Sequence, residues 1–547
     1  MERGIARSAG TVAAAVALSR VSGLVREMVM ARLFGAGQAY DAFLLGFRVP
    51  NLTRDLFAEG ALSAAFVPVF SEYLAKKGRR EAAALSNLVA TALLVVVGAL
   101  CLLGILASPF VVRLLAPGYA RVPGKFELAV TLTRVMFPFL LLVALAAQAM
   151  GVLNACGRFG VPALSSTWFN VGSVISGLAL GWAGGRWLGI PPILAMSIGV
   201  VIGGMLQLGS QMPSLRRAGF VFRPRIDWRD AGLRRILALM APAVIGSAAV
   251  QINVMVNTNF ASAITDASGR VIDGPVSWLA YAFRFMQLPL GLFGVAIGSA
   301  TLPAVSRSAA LGRMDEFGET LTRSLGMVLL LTVPSSVGLA VLGESMIGAV
   351  YQSGRFGAWD TRQTALALSG YAVGLAGYAA IKVLAPALYA LGDARTPMLV
   401  SVCSVAVNFA AASVLVKAAA LGHAGLALST SIVALFGAAA LYAVLRAKLP
   451  GVRDGALAAS LVKVAAASAA MGVACAASSR AVHAWLGASR GAHLADTAIS
   501  IPLGVAFFCA LAFALRVPEM RTAWSAACYT FGRNASRSEV GGPVAGS

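Results

Sequence analysis

Two stretches of this sequence recur further along the chain at nearly the same spacing. The pattern Phe-Arg-x7-Leu-Phe-x5-Ser begins at Phe47 and returns at Phe283, so its offset is 283 − 47 = 236. The pattern Leu-x-Ala-x-Gly-x4-Pro-x-Leu begins at Leu153 and returns at Leu388, so its offset is 388 − 153 = 235. Two separate matches with such similar offsets indicate a duplicated unit, and the chain is therefore expected to fold as two halves built on one plan.

The hydropathy of the chain decides its class. Of the 547 residues, 59% are hydrophobic and 12% are charged, and the mean hydropathy is +0.81. A soluble protein would carry roughly twice that charged fraction. Because a membrane-spanning helix needs about 20 apolar residues, the sequence predicts an all-α polytopic membrane protein with fourteen transmembrane helices. The predicted spans are 8–33, 38–75, 84–109, 126–154, 160–184, 190–212, 236–263, 276–305, 325–350, 362–390, 396–416, 423–446, 457–479 and 494–516.

Pro50 lies inside the second predicted span, and the proline ring disfavours helix at the residue before it, so a break is predicted at Val49. The N-terminus resembles a signal peptide, because the basic stretch 1–7 precedes the apolar stretch 9–18. Apolar sequence continues to Phe34, however, and this favours an uncleaved first helix.

The lysines and arginines of the short loops predict the orientation. Loops after even-numbered spans carry most of them: Lys76, Lys77, Arg79, Arg80, Arg216, Arg217, Arg223, Arg225, Arg229, Arg307, Arg313, Arg446, Lys448 and Arg453. The other side carries fewer: Arg113, Arg121, Arg186, Arg270 and Lys417. The heavily basic side is therefore predicted to be cytoplasmic, and the even number of spans places both termini there.

The duplication predicts the domain organisation. Each half has six spans, and an even number makes the halves parallel repeats, forming two lobes with the substrate site in a central cavity between them. The basic segment 213–235 links the two halves, and its simplest explanation is that its positive charges keep this loop on the cytoplasmic side. The predicted segments are 1–212 (first lobe), 213–235 (linker), 236–448 (second lobe), 449–516 (two additional helices) and 517–547 (a cytoplasmic tail).

Charged residues inside the apolar spans are the strongest functional signal, because a charge in the bilayer is unfavourable. They cluster in spans 1, 2 and 8: Arg20, Arg26, Glu27, Asp41, Arg48, Arg54, Asp55, Glu59 and Arg284. The planar guanidinium group donates paired hydrogen bonds to phosphate oxygens and stays protonated when buried. Several converging arginines would therefore suit a diphosphate.

A structural role is the alternative, in which these arginines pair with the neighbouring acids or extend to the membrane interface. We favour that interpretation for Arg48 and Asp55, which lie close to Pro50. The structural interpretation has little support for Arg284, because the eighth span contains no acidic residue with which it could pair.

Polar residues in spans 7, 11 and 12 allow two interpretations. Their oxygens could coordinate Na⁺, which as a hard cation prefers oxygen ligands, although amide side chains in lipid more often join helices. Catalytic motifs are missing from the sequence: it has no HExxH, no P-loop and no CxxC pair. The three histidines lie at the ends of predicted spans, so we expect neither a metal cluster nor an enzyme, and transport would have to use a gradient, the membrane potential or partners.

Several motifs resemble the MurJ (MviN) lipid II flippase family, which belongs to the multidrug/oligosaccharidyl-lipid/polysaccharide exporter superfamily. The similarity runs from the first span into the twelfth. The motifs are SRVSGLVRE (19–27), FGAGQAYDAFLLGFRVPNLTRDLFAEGALSAAFVP (34–68), LAPGY (115–119), NACGRFGVPAL (154–164), WLAYAFRFMQLPLGLFGVAIG (278–298) and KVLAPALYALGDARTP (382–397).

The resemblance implies a fourteen-helix fold with a V-shaped cationic cavity between two lobes, and a groove for a prenyl tail at helices 13 and 14. It implies a flippase that moves lipid II (undecaprenyl-diphosphate-MurNAc-pentapeptide-GlcNAc) to the outer leaflet of the bacterial inner membrane by alternating access. Peptidoglycan synthesis and cell shape would depend on it. The implied partners are lipid II, membrane lipids and the cell-wall synthesis machinery, and nucleic acid is not expected.

The resemblance also implies roles for single residues. Substrate binding carries over onto Arg20, Arg26, Asp41, Arg54 and Arg284, and a secondary cavity or gating role falls to Glu27 and Glu59. Some relatives have Asp where this chain has Phe283. A family Na⁺ site corresponds here to Asn257, Asn408 and Thr430, without the usual carboxylates, so the coupling is predicted to use either Na⁺ or the membrane potential, with no other cofactor.

Three rival functions remain open. The first is a flippase for another undecaprenyl-diphosphate-linked glycan, which composition alone does not separate from the lipid II flippase. The second is a multidrug–cation antiporter of the same superfamily, which should have an acidic cavity, contrary to Arg20, Arg26 and Arg284. The third is a membrane-embedded glycosyltransferase or a scaffold, and a scaffold should tolerate neutralisation of Arg284.

Overall fold

The computed structural model of the chain describes residues 2–54, 62–187, 189–449, 451 and 454–525. These residues are almost entirely helical, and the isolated bridges Thr265–Val271 and Ser353–Phe356 are the only extended pairing among them. The chain divides into two compact units. Unit 1 comprises Met1–Ser277 with Ser353–Asp360, and unit 2 comprises Trp278–Gln352 with Thr361–Ser547.

Unit 1 contains ten helices in its described residues, with a short 3₁₀ turn at Pro117–Arg121. They are α1 (Glu2–Phe34), α2 (Gln38–Arg54), α3 (Leu62–Lys76), α4 (Gly78–Leu115), α5 (Lys125–Met136), α6 (Pro138–Ala155), α7 (Gly160–Trp187), α8 (Pro192–Gly209), α9 (Met212–Arg217) and α10 (Ala231–Ser262).

Unit 2 begins within α11, and two of its helices continue as π-helical turns, at Leu290–Gly294 and Ser413–Ala418. Its helices are α11 (Pro275–Pro289), α12 (Val295–Ala310), α13 (Met314–Tyr351), α14 (Ala358–Ala372), α15 (Leu375–Ala390), α16 (Arg395–Ala412), α17 (Gly422–Lys448), α18 (Asp454–Leu486) and α19 (Arg490–Ala514).

The predicted spans fall on helices of the described chain, and only the part of the second span at 55–61 lies outside the described residues. Ten helical segments are long and apolar enough to cross a membrane, and the pair α14–α15, bent by 42°, makes an eleventh. The other three predicted spans correspond to α1, α2–α3 and α10. The all-α membrane fold is confirmed, whereas the lobe boundaries at 212 and 236 stay a prediction.

The predicted break at Val49 is wrong. Helix α2 continues through Pro50 to Arg54, so the proline lies inside the helix. Proline removes one backbone donor, but in a membrane protein neighbouring groups can satisfy the carbonyl that it leaves unpaired. The helix therefore tolerates Pro50 without ending there.

Glycine allows close helix packing inside unit 1. A Cβ atom on Gly199 would lie 2.5 Å from the carbonyl oxygen of Ser173, and one on Gly203 would lie 2.7 Å from that of Phe169. The backbones of α7 and α8 therefore meet with no room for a side chain. Small residues give helices this contact in lipid, where apolar burial supplies little driving force between them.

The duplicated pattern forms the same turn in both halves. The amide of Arg158 donates to the carbonyl of Leu153, and the amide of Asp393 donates to that of Leu388, both at 2.9 Å. Gly157 and Gly392 both have φ +74°, a left-handed conformation that ends a helix and favours glycine. The repeat detected in the sequence is therefore also a repeat of local structure.

Candidate functional site

Asp41 lies in the first turn of α2 and is 1% exposed. Its Oδ1 accepts hydrogen bonds from the amide (3.0 Å) and hydroxyl (2.6 Å) of Ser277. Its Oδ2 accepts from the amide of Gly274 and from Lys125 Nζ, each at 2.8 Å. Both carboxylate oxygens are thus saturated by groups that come from two other segments of unit 1.

Lys125, at the start of α5, supplies the positive charge of this network. Its side chain is fully buried, and its ammonium group also contacts Asp273 at 2.6 Å and lies 4.4 Å from the ring centre of Tyr119. Tyr119 donates its hydroxyl to the carbonyl of Asp41 at 3.2 Å. Burial, and secondarily the Asp41 carboxylate, raise the pKa of Tyr119 well above its ordinary value, so the phenol stays neutral.

Asp41 and Ser277 are separated in sequence by the repeat offset itself, 277 − 41 = 236. The two residues therefore occupy the same position in the two repeats, and the structure brings them into direct contact.

The arginines of α1 differ in their surroundings. Arg20 is exposed, whereas Arg26 is half-buried and its guanidinium carbon lies 5.6 Å from the ring centre of Phe47 and 5.3 Å from that of Phe169. Phe139 lies against both of these rings, at centroid distances of 5.7 and 5.0 Å. An aromatic cradle of this kind favours a cation and restricts its orientation.

Arg48 in α2 donates a hydrogen bond to the hydroxyl of Thr258 in α10. This agrees with the structural role favoured for Arg48, although the partner named here is a hydroxyl and not an acid. Glu27 is buried, with 7% of its surface exposed. The side chain of Arg54 and all of Glu59 and Asp55 lie outside the described residues, so their predicted roles stay predictions.

Arg284 is exposed on α11 in unit 2. It occupies the position of Arg48 in the repeat, because 284 − 48 is again 236. The ring of the preceding Phe283 packs edge-on against Tyr371 with 5.4 Å between centres, which anchors this part of α11 beside α14. Arg284 follows directly on this packed residue, and its side chain is exposed.

The candidate Na⁺ ligands are distributed over both units. Asn257 lies in α10 of unit 1, and Asn408 and Thr430 lie in unit 2. Asn408 is 1% exposed and accepts a hydrogen bond from Ser429 at 3.2 Å, while Thr430 donates to the carbonyl of Leu426 at 2.9 Å. Across the described residues no group of three or more His, Cys, Asp or Glu side chains is arranged to hold a metal.

Sequence reasoning missed Lys125, Asp273 and Ser277, because they lie at loop ends where charged and polar residues are common. It also missed Asp496, which is fully buried in α19. An acid inside an otherwise apolar segment was the available signal, and it is the same signal that singled out Asp41.

Comparisons with known proteins agree on one family. The family model described as "Lipid II flippase MurJ" matches residues 30–491. A probable lipid II flippase MurJ of Vibrio cholerae is 35% identical over 442 residues, covering 79% of this chain and 81% of that protein. The lipid II flippase MurJ of Burkholderia cenocepacia is 36% identical over 440 residues, covering 80% and 83%.

Solved structures of similar fold include a member of this family. A structure described as "Lipid II flippase MurJ, inward closed conformation" matches with a TM-score of 0.73 and 25% identity, covering 92% of this chain and 99% of that one. An inward-facing multidrug transporter of the MATE family matches with a TM-score of 0.65 at 13% identity, covering 79% and 94%, and shares the fold alone. This chain is a multi-pass membrane protein that belongs to the MurJ lipid II flippase family.

Proposed function

We propose that this chain moves lipid II from the inner to the outer leaflet of the bacterial cytoplasmic membrane by alternating access. The observation that carries the proposal is the presence of arginines inside apolar helices of both units, with Arg20 and Arg284 accessible. Such charges are retained in membrane helices where a substrate or ion needs them. The relatives that the chain matches bear the name of the same activity.

Arg20, Arg26 and Arg284 bind the diphosphate of the substrate. Each guanidinium group can donate two parallel hydrogen bonds to phosphate oxygens, and the low dielectric of a membrane cavity strengthens these interactions. Arg26 is already oriented by Phe47 and Phe169, so less conformational freedom is lost when it binds. Arg54 assists from the end of α2.

Asp41 acts as a gate and not as a phosphate contact. Its carboxylate is fully occupied by Lys125, Gly274 and Ser277, which tie the start of α2 to α5 and to the start of α11. In the predicted orientation, this is the periplasmic end of these helices. The network holds these helix ends together, and it must separate for lipid II to leave.

The membrane potential drives the return of the empty carrier. A cationic cavity is drawn towards the negative cytoplasmic side by about 2.3 kcal/mol per charge per 100 mV. A Na⁺ gradient is the alternative source of energy, and Asn257, Asn408 and Thr430 would hold the ion through their side-chain oxygens. Both termini are cytoplasmic in this proposal, and the cell-wall synthesis machinery receives the exported substrate.

The test is the exposure of lipid II on the outer leaflet of cells depleted of their own flippase. An externally added enzyme that cleaves exposed lipid II reports it, with the wild type, Arg284→Ala or Arg307→Ala supplied. Arg307 is a matched control because it is an exposed arginine in the last turn of α12. We expect the wild type and Arg307→Ala to restore cleavage, and a folded Arg284→Ala protein to fail.

Two outcomes would contradict the proposal. A well-expressed wild type that restores no cleavage would exclude lipid II and favour another prenyl-diphosphate-linked glycan. Restoration by Arg284→Ala at the wild-type rate would remove this arginine from the mechanism.

A further inference from the structure

A second buried carboxylate lies where α13, α18 and α19 of unit 2 pack together. Asp496 in α19 is 0% exposed. Its Oδ2 accepts hydrogen bonds from Ser345 of α13 at 2.5 Å and Ser479 of α18 at 2.6 Å, and its Oδ1 accepts from Ser500 at 2.5 Å. Three hydroxyl donors favour the ionised carboxylate, and they bring together side chains from three helices.

Hydroxyl groups carry no charge, so a buried anion still requires a counter-charge. The basic group beside Asp496 is His483, near the end of α18, whose Nε2 lies 4.0 Å from Asp496 Oδ2. Ser345 bridges the two, because its hydroxyl oxygen lies 3.3 Å from His483 Nε2. A protonated His483 can donate to Ser345 Oγ, and Ser345 in turn donates to Asp496.

The site accepts one proton. The rings of His483 and His493 meet edge to face with 5.0 Å between centres, and two imidazolium ions at that distance would repel each other. His493 is 3% exposed, whereas the His483 side chain is 28% exposed, so His483 is the ring that exchanges protons with solvent. One protonated histidine and one carboxylate leave the cluster neutral.

Two other charged groups near the cluster, Glu344 and Arg490, have partners of their own. Glu344 of α13 is close enough to His493 to interact with it electrostatically, and it forms an ion pair with Arg362 of α14 at 3.5 Å, with both side chains half-exposed or more. Arg490, at the start of α19, donates to the carbonyl of Ala349 at 3.2 Å. Because Arg362 and Arg490 are bound to these other partners, His483 remains the basic group beside Asp496.

We propose that His483 and Asp496 form a proton-binding site that fastens α18 and α19 to α13. With the proton bound, an ion pair bridged by Ser345 joins the three helices. Without it, Asp496 is a buried anion held only by hydroxyl groups, and the helix pair is attached less tightly. The proton comes from the solution at the exposed end of α18, so the attachment responds to the pH there.

The measurement is hydrogen–deuterium exchange of the full chain in lipid nanodiscs at about pH 5.5 and about pH 8, corrected for the intrinsic pH dependence of amide exchange. Residues 476–500 contain the site, and α8, which has no titratable side chain, is the internal reference. We expect protection of 476–500 relative to α8 to fall by roughly fivefold or more at the higher pH. An unchanged ratio in the wild type would overturn the proposal without any variant.

The variants assign the effect to its residues. His483→Gln and Asp496→Asn should each abolish the pH dependence of residues 476–500. His423→Gln is the matched control, because His423 is also a histidine of unit 2, and it is buried with its Nε2 2.9 Å from the carbonyl of Gln363. Retention of the wild-type pH dependence by either site variant, or its loss in the control alone, would overturn the assignment. Transport does not enter this test, so its result is independent of the proposed function.

Discussion

The two buried aspartates Asp41 and Asp496 are stabilised in different ways. Asp41 is paired with the charge of Lys125 and accepts hydrogen bonds from two backbone amides and the Ser277 hydroxyl, whereas Asp496 receives three hydroxyl donors and faces a histidine. The first network keeps its charges across the physiological pH range, because lysine stays protonated there. The second depends on a proton. The same residue type thus forms a network with a permanent counter-charge in unit 1 and, in the proposed proton-binding site, a network whose counter-charge depends on pH in unit 2.

The largest loss of stability is expected when Asp41 is replaced. Asp41→Ala leaves Lys125 buried with Asp273 alone, and removing one partner of a buried pair costs about 3–5 kcal/mol. We expect a large loss of folded protein and of melting temperature in detergent. The double variant Asp41→Asn/Lys125→Met removes both charges and should recover part of the loss. A stable Asp41→Ala protein would show that the network contributes little.

A smaller effect is expected for Lys125→Met. Asp41 then keeps the amide of Gly274 and both donors of Ser277, so the remaining carboxylate is still hydrogen-bonded. We expect a loss of about 2–3 kcal/mol and a coupling of more than about 1 kcal/mol with Asp41→Asn in a double-mutant cycle. Additive effects of the two substitutions would contradict the ion pair.

Asp496→Asn should have a more modest effect that depends on pH. When the proton is bound, the wild type holds the ion pair, so the substitution costs roughly 1–2 kcal/mol. When the proton is absent, the wild type lacks that stabilisation, so the stabilities of the two proteins should converge at higher pH. Melting temperatures measured across about pH 5–8 test this, with Ser345→Ala expected to behave similarly because it breaks the bridge. A melting-temperature difference between the wild type and Asp496→Asn that grows as the pH rises would contradict the predicted direction of this pH dependence.

The smallest effect is expected for Asp393→Asn, an acid in a loop. Hydrogen bonds from Lys448 and then from Thr396 hold the pKa of the Asp393 carboxyl well below its ordinary value. A pKa lowered by folding stabilises the fold at every pH above the ordinary pKa of an aspartate. This stabilisation is lost only as the pH falls below that ordinary value towards the lowered one. Asp393→Asn should therefore raise hydrogen–deuterium exchange at the first turn of α16 slightly, and by the same factor at about pH 5 and 8. A change between those pH values would indicate that Lys448 titrates or moves.

The membrane fold was readable from the sequence because its signals are local. Long apolar runs marked the spans, and the glycines at 157 and 392 marked the matching helix ends. Arg26 and Arg284 stood out because charge is rare in such runs. Lys125 and Asp273 did not, because charges in loops are common and nothing in the sequence shows which loops meet.

The sequence by itself determined the all-α membrane class, the duplication, the family and the unusual charges within the spans. Only the tertiary structure decided the partners of those charges. It joined Asp41 to Lys125 and to its repeat equivalent Ser277, placed Arg26 on an aromatic cradle, and buried Asp496 among helices from distant parts of the chain. The physical reason is that hydropathy is a sum over neighbouring residues, whereas the stability of a buried charge depends on donors that only folding brings within hydrogen-bond distance.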